Sequence, residues 1–374
     1  MEKCWLRRSG SERRNNVKKG RKIALIAVGT VLILCVAAVG ILVGYGNSKL
    51  NKIDYDYNDG KLTEEEQQQV VQHVEEMDDD PQVQAQVEEI EAVFEEEEIE
   101  VVETPPPVDP RPELEIIHDD NVINILLIGT DERTEGFSAF ARGDSCMILS
   151  LNKSTGRAKL VSLERGMGVP ILDGQYKGYY DWLTHTFCYG GADLMMREVR
   201  ECFRVEVDRY IRVNFGTFRA GINSIGGIDV NLTQAEADYL MEKDPGTEVT
   251  EGLNHLYGFT ALQYARCRGI DSDWMRIRRQ RTVIQAAINK TKGLSIGELD
   301  NMLNKVLPLV RTNLSKGEIV ELMTLAPKFQ GVTLEQMTIP ASGTYGGMRG
   351  MGGRSLYAVD FYTNAVKLRE FLYG

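Results

Sequence analysis

The sequence predicts an α/β domain built on a sheet with antiparallel strands, set behind one membrane-spanning helix and an acidic stalk. Three observations predict it. Residues 23–45 (IALIAVGTVLILCVAAVGILVGY) carry no charge. Three short apolar runs then follow a long acidic segment: 124–129 (NILLIG), 146–151 (CMILSL) and 158–163 (AKLVSL). Last, an arginine-rich pattern over 261–284 (ALQYARCRGIDSDWMRIRRQRTVI) reads as an extended segment that enters a helix near Asp273.

The uncharged run is long enough to span a bilayer, and nothing flanking it would cover it as a core helix. Residues 1–22 hold nine Lys/Arg. A secretory signal has a shorter apolar core and a small-residue cleavage site. The run therefore reads as an uncleaved signal anchor with a cytoplasmic N-terminus, by the positive-inside rule. Residues 46–120 turn acidic and simple in composition, with EEEQQQ, EEMDDDPQVQAQVEEIEAVFEEEEIE and TPPPVDPRP. Such a composition buries too little apolar surface to offset its ordering entropy, so this segment is expected to be a largely disordered stalk. Its middle forms at most a fraying helix, and its proline-rich end a semi-rigid spacer. Residues 121–374 complete the division as one extracellular domain, in a protein anchored by a single pass in the plasma membrane. The net charge of −12 comes almost wholly from the stalk. From residue 121 onward acids and bases nearly cancel, and overall charge suggests no nucleic-acid partner.

Between the second and third apolar runs lies NKSTGR, a turn signal of hairpin length. If those runs pair antiparallel through it, the start of one and the end of the other share a sheet edge. Arg142 and Asp144 then sit beside Glu164 and Arg165. If the first run is antiparallel to the second, Asp131 and Arg133 join the same rim. The competing reading of this stretch is a solvated loop.

In the extended segment, Arg266 and Arg268 point to one face and Cys267 to the other. Asp273 is a good N-cap residue. The helix it opens carries Arg276, Arg278, Arg279 and Arg281, with Arg276, Arg279, Gln280 and Val283 on one face. Arginine in a first turn opposes the helix dipole, which points to an external anion. A basic solvated face is the alternative. Of six cysteines, Cys146, Cys188, Cys202 and Cys267 fall in the extracellular part without CxxC or Cys/His metal spacing. A disulfide and four buried thiols both remain open.

These segments, in order, resemble the LytR-CpsA-Psr (LCP) family of cell-wall glycopolymer transferases. The resemblance rests on LLIGTDER, RGDSCMILSLN, KLVSLERG, LTHTFCYGG, VNFGTFRAGINSIGGIDVNL, EGLNHLYGFTALQYARCR and DWMRIRRQRTVI, and covers about residues 121–287. It implies an LCP-type α/β/α fold, a central mixed sheet sandwiched by helices, with a long apolar pocket for a polyprenyl chain. It also implies transfer of a glycopolymer from its polyprenyl pyrophosphate carrier to a peptidoglycan sugar hydroxyl, through a phosphodiester. By motif position Asp131 and Asp144 match the family's magnesium-associated acids, so Mg2+ (or Mn2+) is the implied cofactor. Arg142, Arg165, Arg266, Arg268 and Arg276 fall on its pyrophosphate-binding arginines, and Arg279 and Gln280 on the pair that follows. The catalytic set is then Asp131, Asp144, Arg142 and Arg165.

One departure stands out. The family reads Pro-Arg-Asp after the third strand, whereas this chain reads Glu164-Arg165-Gly166. Glu164 lies one residue early and is an uneven substitute. A non-catalytic scaffold for lipid-linked precursors and a lipid pyrophosphatase are the competing functions. An aromatic cluster, Tyr176, Tyr179, Tyr180 and Trp182, reads as loop packing or as the lining of a glycan or lipid path.

Overall fold

The structure, a computed structural model, describes residues 50, 53–56, 60–77, 80–103, 110–132, 137–138, 141–292, 308, 310–329 and 332–374. The basic tail and the uncharged run over 23–45 lie outside them. Among the described residues no helix is long and apolar enough to cross a membrane.

The described chain begins with β1 (Asp54–Tyr55), α1 (Glu64–Met77), α2 (Pro81–Glu96) and β2 (Val101–Val102). The three apolar runs form β3 (Val122–Gly129), β4 (Ser145–Asn152) and β5 (Ala158–Leu163). Next come β6 (Met167–Pro170), β7 (Tyr180–Trp182), α3 (Thr186–Phe203), β8 (Arg209–Val213) and α4 (Phe215–Ser224). β9 (Ile228–Leu232), α5 (Gln234–Lys243), β10 (Gly252–Leu256), α6 (Gly258–Ala265) and α7 (Asp273–Thr291) follow. The last are β11 (Arg311–Thr312), α8 (Lys316–Leu325), β12 (Glu335–Ile339), β13 (Tyr345–Arg349), β14 (Ser355–Val359) and α9 (Phe361–Tyr373).

The main sheet runs β1-β11-β8-β3-β4-β5-β12. Its centre is antiparallel, β3 with β4 and β4 with β5, while β8 and β12 add parallel neighbours. The sheet is therefore mixed. Successive residues of a strand face opposite sides, and here both sides are covered. Ile125 and Leu127 pack toward Ile222 of α4, Ala261 of α6 and Val283 and Ala287 of α7. Leu126 and Ile128 pack toward Met195 and Val199 of α3 and Leu368 of α9. Burial on two faces explains why these runs are mostly apolar instead of alternating apolar with exposed polar residues. The expected hairpin is present: the Asn152 carboxamide oxygen accepts the Ser154 and Thr155 amides at 3.1 and 2.9 Å, and Gly156 supplies the left-handed residue at φ 71°.

A second sheet, ordered β2-β13-β14-β6-β7, lies under α2. Val83, Ile90 and Phe94 of α2 join Trp182, Met348, Leu356 and Tyr357 in one core. The Phe94 and Tyr357 rings meet edge to face at 5.6 Å, and the Trp182 indole N–H donates to the Ser355 carbonyl at 2.9 Å. Trp182 is thus packing, not a path lining.

The expectation of a largely disordered stalk over 46–120 is overturned where that segment is described. Asp80 caps α2, accepting the Gln82 amide at 2.8 Å, and Pro81 takes the first helical position. Val83, Val87, Ile90 and Phe94 then recur at helical spacing. The apolar stripe is narrow, so an average over an acid-rich segment conceals it. α1 packs likewise: Leu62, Val70 and Val74 meet Ile171 and Leu194. Cys146, Cys188, Cys202 and Cys267 are buried and form no disulfide among the described residues, as low-polarity packing residues commonly are.

If α2 belongs to the folded domain, Phe94→Ala should destabilise the full chain by about 3–5 kcal/mol. Denaturant unfolding followed by tryptophan fluorescence measures this, since Trp182 sits in the same core. A variant that unfolds with the parent would return α2 to a spacer role.

Candidate functional site

Register brings the rim together as the sequence suggests. Gly129 pairs with Ser145 and Cys146 with Leu163, so the end of β3, the start of β4 and the end of β5 share one edge. Asp131, Arg142, Asp144, Glu164 and Arg165 follow directly from those ends. Arg133 lies outside the described residues.

Arg142 is the first node. Its backbone amide and one guanidinium nitrogen donate to the two oxygens of Asp131, at 3.3 and 3.0 Å. Its Nε lies 3.9 Å from Asp144. The second node is Asp273, delivered by α6, α7 and the loop between them. Arg276 donates to its Oδ2 at 2.6 Å, and the Nε atoms of Arg165 and Arg268 lie 3.7 and 3.8 Å from its carboxylate. Asp273 is the first residue of α7, because Ser272 takes the N-cap position without a side-chain bond. The expectation of Asp273 as N-cap is corrected accordingly. Its acid answers both the dipole and the first-turn arginine.

The electrostatics follow from burial. Arg142, Arg165 and Arg276 are buried, Arg276 at 1% exposure, and arginine keeps its proton in any protein setting. The Asp144 carboxyl is pushed up to about 6 by burial, against the pull of Arg142. Burial, and then the charge of Asp273, hold Glu164 well above the usual carboxylate range. Burial also raises Asp273, which Arg165 and Arg268 pull back down. Glu164 is the member that keeps its proton, and its Oε2 accepts the Gly166 amide. Several polar atoms have no hydrogen-bond partner among the described residues: Asp144 Oδ2, Arg165 Nε, Arg268 Nε and Nη2, and Arg276 Nε. Buried polar groups are normally satisfied. Three of the arginines concerned, Arg165, Arg268 and Arg276, gather on Asp273, and the charges of Arg165 and Arg268 also act on Asp144.

Three expected residues are placed otherwise. Arg266 closes α6 as its C-cap at φ −101°, ψ 0°, so the expected extended segment does not exist and the shared face with Arg268 loses its basis. Its guanidinium lies 4.6 Å over the Phe215 ring. Arg279 is buried as its helix face predicted, but it donates to Glu236 at 2.6 Å, to Asp271 at 2.9 Å and to the Cys267 carbonyl at 3.3 Å. It braces the loop entering α7. Gln280 reaches the rim indirectly, accepting from Ser145 at 3.3 Å. Of the aromatic cluster, Tyr176 lies 5.2 Å from the Tyr189 ring and Tyr179 is exposed.

Sequence reasoning missed the contribution of α2. Arg142 donates to Asp80 at 2.8 Å and to Gln82, and Arg165 donates to Glu89 at 3.0 Å, with Arg268 3.8 Å from the same carboxylate. The available signal was Asp80-Pro81 ahead of a 4-3-4 apolar spacing, a helix start. Gly166 belongs here as well: a Cβ at that position would lie 2.6 Å from Ile90 Cδ1 and 3.1 Å from Glu164 Oε2. The place where the family carries an acid is occupied by an isoleucine of α2.

A divalent cation suits Asp131 and Asp144. Magnesium commonly takes one or two carboxylates and completes its shell from water and phosphate oxygens, and Asp144 Oδ2 is buried and unpartnered among the described residues. No cluster of three or more His, Cys, Asp or Glu suited to a metal occurs among the described residues.

A model of the LytR_cpsA_psr family matches residues 64–365. Among characterised relatives, the polyisoprenyl-teichoic acid–peptidoglycan teichoic acid transferase TagT of Bacillus subtilis is 31% identical over 221 residues, covering 58% of this chain and 67% of its own length. The corresponding TagU transferase of Bacillus mycoides is 32% identical over 203 residues, covering 54% of this chain and 63% of its own length. This chain thus spans about two thirds of those relatives. Solved structures share the fold: TagT bound to LIIa-WTA has a TM-score of 0.54 at 24% identity, and TagT with bound octaprenyl pyrophosphate lipid one of 0.51 at 22%. Each alignment covers 73% of this chain and 99% of that one. The match begins inside α1, so the helices ahead of the sheet lie within the matched region, and the chain belongs to the LytR_cpsA_psr family.

Proposed function

We propose that this protein transfers a glycopolymer from a polyprenyl pyrophosphate carrier to a peptidoglycan sugar hydroxyl. Its domain works outside the plasma membrane, and residues 23–45 anchor it there. The observation that carries the proposal is the convergence of Arg142, Arg165, Arg268 and Arg276 on one rim, with at least one guanidinium nitrogen that makes no hydrogen bond among the described residues at three of the four. The relatives named as teichoic acid transferases, and the likeness to a structure holding octaprenyl pyrophosphate, support the same substrate class.

In this reaction the acceptor hydroxyl oxygen bonds to the phosphorus nearest the glycopolymer. The bridging P–O bond breaks, polyprenyl phosphate leaves, and the hydroxyl proton goes to a rim carboxylate. Such transfer needs positioning and neutralised charge more than covalent help from the protein. Arginine supplies both, because its planar fork takes two phosphate oxygens at once. Gln280 and Ser145 fix the start of β4, on which Asp144 depends. Arg279 holds the loop that presents Arg268. Asp131 and Asp144 would hold magnesium, which when bound screens charge on the phosphate oxygens. A non-catalytic binding scaffold is the second reading, favoured by Gly166 alone; glycopolymer joined to peptidoglycan in a purified system separates the two.

Arg165→Lys with Arg268→Lys keeps the charge and removes the fork. Each charge-assisted hydrogen bond is worth about 1.5–3 kcal/mol, or roughly tenfold in affinity per 1.4 kcal/mol. Affinity for a polyprenyl pyrophosphate should fall by at least about tenfold in a variant that melts like the parent. Equal affinity would reduce the pair to a basic surface.

Asp131→Asn with Asp144→Asn should abolish magnesium-dependent transfer and keep most lipid pyrophosphate binding, since the arginines remain. Titrating the metal in a transfer assay measures this. Undiminished metal-dependent turnover in the double variant would remove both residues as ligands.

A further inference from the structure

The helix ahead of the domain puts carboxylates where the reading above puts phosphates. We propose that the N-terminal part of α2 with its cap, residues 80–90, is an intramolecular occupant of the anion site that a polyprenyl pyrophosphate has to displace. The proposal rests on the pyrophosphate reading of the arginine cluster and adds its regulation.

Four features carry it. First, the contacts are with the cluster itself. Asp80 Oδ2 takes Arg142, and Glu89 Oε2 lies between Arg165 at 3.0 Å and Arg268 at 3.8 Å. Second, the charge matches. Asp80 and Glu89 bring two negative charges, as does a pyrophosphate diester, to a rim whose four arginines face Asp131, Asp144 and Asp273. Third, the fit is partial. With α2 docked, Arg268 Nη2 makes no hydrogen bond among the described residues, and Arg165 Nε and Arg268 Nε come only within 3.7 and 3.8 Å of Asp273, too long for one. Two separate carboxylates leave donors that a pyrophosphate, with more oxygens in one group, would fill. The occupant is therefore the poorer ligand of the two. Fourth, Ile90 packs on Gly166, in the space a side chain there would need.

Release is local in this geometry. The last turns of α2, residues 91–96, stay pinned by Phe94 on Tyr357, by Glu91 with Arg349 at 2.6 Å and Ser355 at 2.8 Å, and by the pairing of β2 with β13. Only the turns that carry Asp80, Val83, Glu89 and Ile90 have to leave. A site open one time in ten binds about tenfold more weakly than one always open.

The test uses the full chain in detergent micelles and geranylgeranyl pyrophosphate as the probe. Asp80→Asn with Glu89→Gln removes both charges, keeps the shape, and leaves asparagine, a good helix cap, at position 80. The double variant should bind the probe about tenfold more tightly than the parent. In the unmodified protein, saturating probe should speed amide exchange over residues 83–90 and leave 94–102 as they were, a readout independent of any substitution. Equal affinity in parent and variant, or unchanged exchange over 83–90 at saturation, would overturn the displacement and leave the pyrophosphate site standing. Absence of probe binding in both folded proteins would overturn the site and the displacement together.

Discussion

The rest of the site depends on one constraint: charges held out of water must be matched by opposite charges close by. An unpaired buried charge costs several kcal/mol, and this rim buries Arg142, Arg165, Arg276, Asp144 and Glu164 together. Every element around it serves that balance. Asp273 opens α7 and faces three arginines; Asp131 receives Arg142 from both backbone and side chain; Glu164 escapes the penalty by keeping its proton. The atoms left without partners then show where the balance is incomplete. They lie beside the arginines and Asp144, so a ligand with several negative oxygens and a bound cation would complete what the protein leaves open.

The sheet makes such a concentration of charge possible. β3, β4 and β5 are mostly apolar on both faces, and apart from Lys159, whose ammonium reaches the carbonyls at the end of α9, the charged residues around them gather at the strand ends. Antiparallel pairing puts three of those ends on one edge, and the helices on either face keep water from the strands below. The same packing explains why Arg279 is internal. Its helix face points to the sheet, and there it meets Glu236 and Asp271 instead of a ligand.

This logic separates what the sequence disclosed from what it concealed. The three strands were legible because their runs are mostly apolar and a turn signal of fixed length joins two of them. The rim followed from strand direction alone. The buried face of α7 followed from helical period, and Arg276, Arg279, Gln280 and Val283 are all buried. Arg266 was misread because a Tyr-Ala-Arg-Cys-Arg stretch has no marker telling the last residue of a helix from the first of an extended segment. α2 was misread because disorder was inferred from average composition, whereas docking needs only a stripe. Val83, Ile90 and Phe94 suffice once Trp182 and Tyr357 offer a surface. The partners of an arginine such as Arg142 are also beyond local reading, since Asp80 lies 62 positions away.

Gly166 and α2 are best understood as one arrangement. An aspartate at 166 would stand against Glu164 and Ile90 at once. It would put another acid beside a carboxyl pair that already retains a proton, and it would displace the end of the Ile90 side chain. Glycine removes both conflicts and lets Ile90 close over the end of β5. The departure from the family pattern is then no simple loss of a functional group. It is the space that lets an acidic helix lie across the arginines, with Glu89 supplying from outside the sheet the negative charge that position 166 no longer brings.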